Sequence, residues 1–312
     1  MARTAPPSRR TPPGVRRTRR LRLVTALVAV GVVVAGGVVW LTRDPGAPVV
    51  VERCRASVDG ESTSMSPEQA ANAATVVGIA VRRGLPARAA TIGIATIVQE
   101  SGMRNLDHGD RDSLGLFQQR PSQGWGSPEQ VRDPVHATNA FYDALVDVEG
   151  YRDLPVTDAA QRVQRSGFPL AYGDHEPEAR LVASTLTGYT PGGFTCHLRP
   201  APVSQESGDD VQPSPVAQRF ADAAATQVTT TTPQVVAGTR GRALEFTLTG
   251  TDAEAERLAW AVAGWAVASA SVYDVTEVSV QGSRWSRDES GRGWTATATG
   301  LPRGGVQVRL GV

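Results

Sequence analysis

The chain has 312 residues, and its 32 basic residues, all of them arginine, nearly balance 31 acidic residues to give a formal net charge of +1. This length suits two modest domains with additional tails. Outside the N-terminal tail there is no basic stripe with interleaved aromatic residues, which argues against nucleic-acid binding.

The N-terminus combines a basic tail with a long apolar run. Residues 1–22 contain eight arginines and no acid, and residues 23–42 are uncharged and mostly apolar. Twenty residues of helix span about 30 Å, the thickness of the hydrocarbon core of a bilayer. Because basic residues favour the cytoplasmic side of a span, we expect a cytoplasmic tail, a transmembrane anchor and an extracytoplasmic remainder. A cleaved signal peptide is the alternative.

The next two segments differ in composition. Residues 43–65 are polar and contain Pro, Gly and Ser, so we expect a stalk. Residues 66–198 carry the signals of a mainly α-helical domain. A serine N-cap followed by proline and a glutamine at N3 predicts helix starts at residues 66–69 and again at 127–130. Between the helices lies a long loop, residues 102–126, and loops of that length are usually functional.

The C-terminal third has a mixed pattern. Residues 199–215 have the composition of a linker. An apolar helix is expected over residues 252–271, and alternating valines predict strands before the C-terminus. Residues 216–312 are therefore expected to form a small α/β two-layer domain, with the cell wall or another protein as its possible partner. The whole chain is predicted to be α+β.

The two cysteines bracket the predicted helical domain. If that domain lies outside the cytoplasm, a disulfide between Cys54 and Cys196 would join its ends. Two independent buried thiols are the alternative. Their spacing offers neither a Cys-x-x-Cys motif nor a cluster of metal ligands, so no metal site is predicted.

An apolar helical run ends near Glu100 and places this carboxyl group on its last turn. Burial and the negative end of the helix dipole both raise the pKa of a carboxyl group in such a position. A glutamic acid that keeps its proton near neutral pH can protonate the leaving oxygen of a glycosidic bond. Glu100 is therefore the candidate catalytic residue; the alternative is a solvated helix end.

Two short motifs carry a family resemblance: Glu100-Ser101 and Gly115-Leu116-Phe117-Gln118. They resemble the Glu-Ser and Gly-Leu-Met-Gln signatures of soluble lytic transglycosylases, which belong with the goose-type lysozymes to the lysozyme-like superfamily. The resemblance covers about residues 66–197. It implies a lysozyme-like fold and cleavage of the glycan strands of peptidoglycan without a cofactor. Glu100 would act first as the general acid and then as the base.

The resemblance also implies a set of substrate-binding residues. They are Ser101, Gly115, Leu116, Phe117, Gln118, Gln119 and Tyr172. Tyr172 is assigned by chain order, since the family has a late tyrosine near the catalytic acid. The two glutamines could hydrogen-bond sugar hydroxyls while Phe117 packs beneath them. Their alternative role is to satisfy buried backbone groups.

Asp110 and Asp112 are the candidates for the second carboxylate that a hydrolase needs. Asp110 matches the Gly-Asp of goose-type lysozymes. That family also has an aspartate two residues after the motif glutamine, where this chain has Arg120. This departure favours transglycosylation, in which the 6-hydroxyl of the sugar attacks and no second carboxylate is needed. Turn formation is the alternative role of both aspartates.

These features together predict a membrane-anchored extracytoplasmic enzyme that cleaves peptidoglycan. Its partners would be the glycan strands and, through the N-terminal helix, the membrane. Two alternatives stay open. One is a non-catalytic protein of the same fold that binds the wall or a partner, and the other is a hydrolytic lysozyme.

Overall fold

The computed structural model of the chain describes residues 50–201, 211–298 and 300–311, which combine helices and sheets as the α+β prediction requires. Residues 50–312 belong to one compact unit. The predicted cytoplasmic tail and transmembrane anchor lie outside the described residues. Within the described ranges, no helix is both long and apolar enough to cross a bilayer.

The first sheet occupies the segment that was expected to be a stalk. Its strands β1 (Arg53–Val58), β2 (Glu61–Met65) and β3 (Phe194–His197) pair antiparallel in the order β2-β1-β3. The turn between β1 and β2 has positive φ at both Asp59 and Gly60, as Asp-Gly hairpin turns favour. Residues 53–65 therefore form a hairpin rather than a stalk, and β1 also pairs with β3, a strand about 140 residues later.

A group of helices follows the hairpin. They are α1 (Pro67–Arg82), α2 (Ala87–Ser101), α3 (Pro128–Arg132), α4 (Pro134–Val146), α5 (Val156–Gln164) and α6 (Glu176–Leu186). Both predicted capping boxes are confirmed, since Ser66 caps α1 and Ser127 caps α3 with the expected glutamine reaching back. The predicted stop after Glu100 is also confirmed, because Gly102 closes α2 in the left-handed conformation.

The C-terminal part contains α7 (Pro215–Gln227), α8 (Asp252–Ala268) and a larger sheet. The strands of this sheet are β4 (Gln234–Val235), β5 (Ala243–Thr247), β6 (Val275–Val280), β7 (Ser283–Ser286), β8 (Thr295–Ala296) and β9 (Gly305–Leu310). They pair antiparallel in the order β4-β5-β9-β6-β7-β8. Helix α8 packs against β6 and β9, so a helix covers the sheet.

The helical part and the C-terminal part share one hydrophobic core. Helix α8 packs against α1, α6 and β3, and α7 also packs against α1. The Gln227 side-chain oxygen accepts hydrogen bonds from Thr75 (3.0 Å) and from the Trp265 indole (3.1 Å). A Cβ at Gly78 would lie 2.8 Å from the Gln227 carbonyl oxygen, so only glycine permits this approach. The predicted linker, of which residues 202–210 lie outside the described ranges, therefore does not separate two independent cores.

The predicted disulfide is confirmed. Cys54 and Cys196 are directly opposite each other on β1 and β3, and both are completely buried. The indole of the buried Trp285 donates a hydrogen bond to the Cys196 carbonyl oxygen (3.1 Å), which joins the disulfide to the C-terminal sheet. The bond links residues 142 positions apart. It therefore closes a loop that contains all the helices from α1 to α6.

Candidate active site

Helix α2 carries Glu100 on its last turn. Ile92, Ile94 and Ile97 of this helix are completely buried, so its middle passes through the core. Glu100 itself is half-buried at the end of this buried run. The apolar sequence thus positions a single carboxyl group at the edge of the core.

Two side chains from later in the chain donate hydrogen bonds to the same carboxyl oxygen. The hydroxyl group of the buried Tyr172 donates to Glu100 Oε1 at 2.5 Å. The Gln164 amide donates to the same oxygen at 3.2 Å. Among the described residues, none donates a hydrogen bond to Oε2 or forms an ion pair with Glu100. One oxygen is thus held in place while the other is left for a proton or a ligand.

The pKa of Glu100 is raised above its usual value. Burial is the largest cause, because it removes the charged form from water. The hydrogen bonds from Tyr172 and Gln164 act in the opposite direction by favouring the ionised form, but they do not cancel the effect of burial. Burial also raises the pKa of Tyr172, so the phenol keeps the proton that it donates to Glu100.

The loop that follows α2 is tied to the carboxyl group through its backbone. Gln164 donates a second hydrogen bond, to the Phe117 carbonyl oxygen (2.7 Å). Ser101 donates to the Leu116 carbonyl oxygen (2.8 Å). The two motifs of the sequence resemblance, Glu-Ser and Gly-Leu-Phe-Gln, are therefore brought side by side. Ser101 has the role of bracing this loop.

Three of the predicted substrate-binding residues have clear structural roles. Leu116 and Phe117 are completely buried, and the Phe117 ring stacks on Phe141 with centroids 4.6 Å apart. Gly115 has φ +79°, and a Cβ there would lie 2.2 Å from the Val131 carbonyl oxygen. The buried Leu116 and Phe117 side chains therefore support the loop from below, which fits the expectation that Phe117 packs beneath the glutamines.

The two glutamines of this loop also bind backbone groups. Gln119 is 2% exposed and donates to the Ala137 carbonyl oxygen (3.1 Å). Gln118 is half-buried and donates to the Gly115 carbonyl oxygen (3.2 Å). This matches the alternative given for both residues from the sequence. Gln118 is the more accessible of the two and is the one that could reach a ligand by a change of rotamer.

The candidate second carboxylates lie in the exposed part of the loop. Asp112 accepts hydrogen bonds from the Arg120 guanidinium and from the Ser122 backbone amide, both at 2.8 Å. The bond from Ser122 is the largest cause, and the bond from Arg120 the second, of the lowering of the Asp112 pKa. The side chain of Asp110 is 91% exposed and lies 3.9 Å from Arg111. Asp112 thus has the bracing role that turn formation implied.

Gln164 is the site residue that sequence reasoning missed. It ends α5, four residues after the buried Ala160 and on the same helical face. The signal available in the sequence was a long amide side chain on a helical face whose other residues are small and buried. Its importance depends on α5 packing against α2, which local sequence does not reveal.

The site contains the parts needed for proton transfer and does not resemble a metal centre. Within the described ranges, no group of three or more His, Cys, Asp or Glu side chains is placed to hold a metal ion. No protein-family model matches the chain, and no curated protein sequence matches it. A carboxyl group with a raised pKa and one free oxygen can give a proton and take one back.

Proposed function

We propose that the chain is a membrane-anchored extracytoplasmic enzyme that cleaves the glycan strands of peptidoglycan, with Glu100 as its acid and base. The observation that carries the proposal is the half-buried carboxyl group of Glu100, whose pKa burial raises and whose Oε1 is held by Tyr172 and Gln164. The motif resemblance supplies the substrate class. The apolar run at residues 23–42 supplies the membrane location.

Protonation of the glycosidic oxygen is the first step. Because Oε1 already accepts two hydrogen bonds, the proton is expected on Oε2, from which it passes to the glycosidic oxygen. As the bond between C1 and the glycosidic oxygen breaks, Glu100 becomes a carboxylate. The phenol of Tyr172 and the amide of Gln164 then stabilise the negative charge that develops, since hydrogen bonds to a charged acceptor are the stronger ones.

Attack on C1 is the second step. In transglycosylation the 6-hydroxyl of the same sugar attacks, the new C1–O6 bond closes a 1,6-anhydro ring, and the hydroxyl proton passes to Glu100. The attack is intramolecular and needs no positioned water. The hydrogen bonds of Asp112 to Arg120 and Ser122 support this route over hydrolysis, because they commit that carboxylate to bracing the loop. Neither step needs a cofactor.

The test is a digest of purified peptidoglycan by the full-length chain in detergent micelles, with the products read by mass spectrometry. We expect 1,6-anhydro-muropeptides from the wild type and none from Glu100→Gln, which keeps the size of the side chain and loses its acidity. Glu149→Gln, at an exposed glutamate, is the matched control and should cleave like the wild type.

The other outcomes of the digest would contradict parts of this proposal. Products with reducing ends would replace transglycosylation by hydrolysis and turn attention to Asp110. Equal cleavage by the wild type and Glu100→Gln would remove Glu100 from the mechanism. A folded wild type that sediments with peptidoglycan and releases nothing would overturn the enzyme proposal in favour of a binding protein.

A further inference from the structure

A large apolar pair stands exposed on the loop before Tyr172. Phe168 is 75% exposed and Leu170 is 76% exposed. All six phenylalanines of the chain are described, and each of the other five is at most 2% exposed. Single exposed apolar residues are common, so exposure alone does not indicate a binding site. The position of this pair relative to Glu100 is what indicates a functional role.

The two residues that hydrogen-bond Glu100, Gln164 and Tyr172, stand at the two ends of this loop. Gln164, four residues before Phe168, donates to Glu100 Oε1 at 3.2 Å. Tyr172 donates to Glu100 at 2.5 Å. Phe168 and Leu170 therefore lie on the segment 165–171, which is held beside the Glu100 carboxyl group at both of its ends. The pair belongs to the rim of the candidate active site.

The loop is also held firmly on its inner side. The Thr157 hydroxyl donates to the Pro169 carbonyl oxygen (2.7 Å), and the Gln161 amide donates to the Ser166 carbonyl oxygen (2.9 Å). The Ala171 amide donates to the Phe168 carbonyl oxygen (3.2 Å). Because the backbone is fixed, Phe168 and Leu170 are presented to solvent in a set place, and little entropy is lost when a ligand packs on them.

We propose that Phe168 and Leu170 form an apolar rim that binds one sugar ring of the glycan strand next to the bond that Glu100 cleaves; this inference rests on the proposed function. A pyranose ring carries its C–H groups on its faces and can pack on an aromatic ring. The Phe168 ring offers the flat surface for this contact. Leu170 offers a branched side chain for an acetamide or lactyl methyl group.

A sugar ring is favoured over a protein partner by the size of the surface. Two exposed side chains provide at most a few hundred Å², whereas a stable protein interface buries about 800 Å² on each partner. The loop that carries the rim lies between Gln164 and Tyr172, both of which hold Glu100, so a strand bound for cleavage lies beside this loop. An apolar patch beside such a site is typical of a ligand-binding surface.

The test compares turnover of soluble peptidoglycan glycan strands by the wild type, Phe168→Ala, Leu170→Ala and the double variant. We expect KM to rise about tenfold in the double variant, with a much smaller change in kcat, since the rim binds the strand away from the reacting atoms. Phe168→Trp should restore binding. Tyr189→Ala removes another aromatic ring, one that is 62% exposed, and is the matched control.

Binding is measured separately with the Glu100→Gln chain on insoluble peptidoglycan, with and without Phe168→Ala. Weaker binding of the Glu100→Gln/Phe168→Ala chain than of the Glu100→Gln chain supports the rim. It does so even if the wild type releases no products, in which case the enzyme proposal alone fails. The rim proposal would be overturned if the chain cleaves normally and both rim substitutions leave KM and binding unchanged. An equal loss of binding in Tyr189→Ala would also overturn it, because the effect would then belong to any exposed ring.

Discussion

Removing the disulfide should lower the stability of the chain by a large and calculable amount. The paired substitution Cys54→Ala and Cys196→Ala opens a loop that joins residues 142 positions apart. In the chain-entropy model a loop of this length contributes about 5 kcal/mol. Typical proteins are stable by only about 5–15 kcal/mol, so this loss is a substantial part of the whole.

The assay is urea unfolding of residues 50–312, the compact unit, followed by tryptophan fluorescence. Trp285 is a suitable reporter, because it is completely buried and its indole donates a hydrogen bond to Cys196. With a denaturant dependence of about 3 kcal/mol per M urea, the expected loss of about 5 kcal/mol moves the midpoint down by about 1.7 M. Wild-type protein refolded and measured in reductant keeps both sulfur atoms, so it isolates the effect of the loop from that of the deleted atoms.

Two results would contradict the reasoning. If the reduced wild type and the oxidised wild type unfold within about 0.3 M urea of each other, the loop constraint does not stabilise the fold. If the reduced wild type is stable and only the alanine variant is weak, packing of the sulfur atoms rather than chain entropy is the cause. Loss of all cooperative unfolding in both would show that the contribution exceeds the total stability.

Two further predictions concern hydrogen bonds. Tyr172→Phe removes a donor that favours ionised Glu100, so the pKa of Glu100 rises and cleavage, which needs the protonated acid, should extend to higher pH. A pH profile whose alkaline limb stays in place would contradict this role. Gln227→Leu leaves the Trp265 indole without its buried acceptor and should lower the free energy of unfolding by about 1–3 kcal/mol in urea melts. Gln218→Leu, at an exposed position of the same helix, is the control, and an equal loss there would refute the assignment.

Local sequence signals predicted the helices of this fold well. The capping boxes at Ser66 and Ser127 and the helix end at Gly102 each depend on a few adjacent residues, and the structure contains all three. The disulfide was predictable for a different reason, since only two cysteines were available. These predictions needed no knowledge of which helices touch each other.

Pairings between distant segments escaped prediction. The hairpin at residues 53–65 is short and polar on one face, and its third strand comes from residues 194–197. The shared core depends on Gly78 and Trp265, which meet only when α8 packs on α1. Gln164 reaches Glu100 for the same reason, through contact between two helices. The third strand of the hairpin's sheet, the shared core and the bond from Gln164 all depend on packing across more than 60 residues, which a local pattern does not contain.

Strand β1 begins three residues after the first described residue, and it is the middle strand of its sheet. Tension applied to the chain at residue 50, as by an anchor upstream, would act along β1 and load its two ladders in shear. Hydrogen bonds loaded in this way share the force, and the bond from Cys54 to Cys196 transfers part of it covalently to β3. The geometry therefore resists the extraction of β1 under load, a process whose rate depends on the unfolding barrier. A protein held at one end while its other face engages a stiff polymer would depend on such mechanical strength.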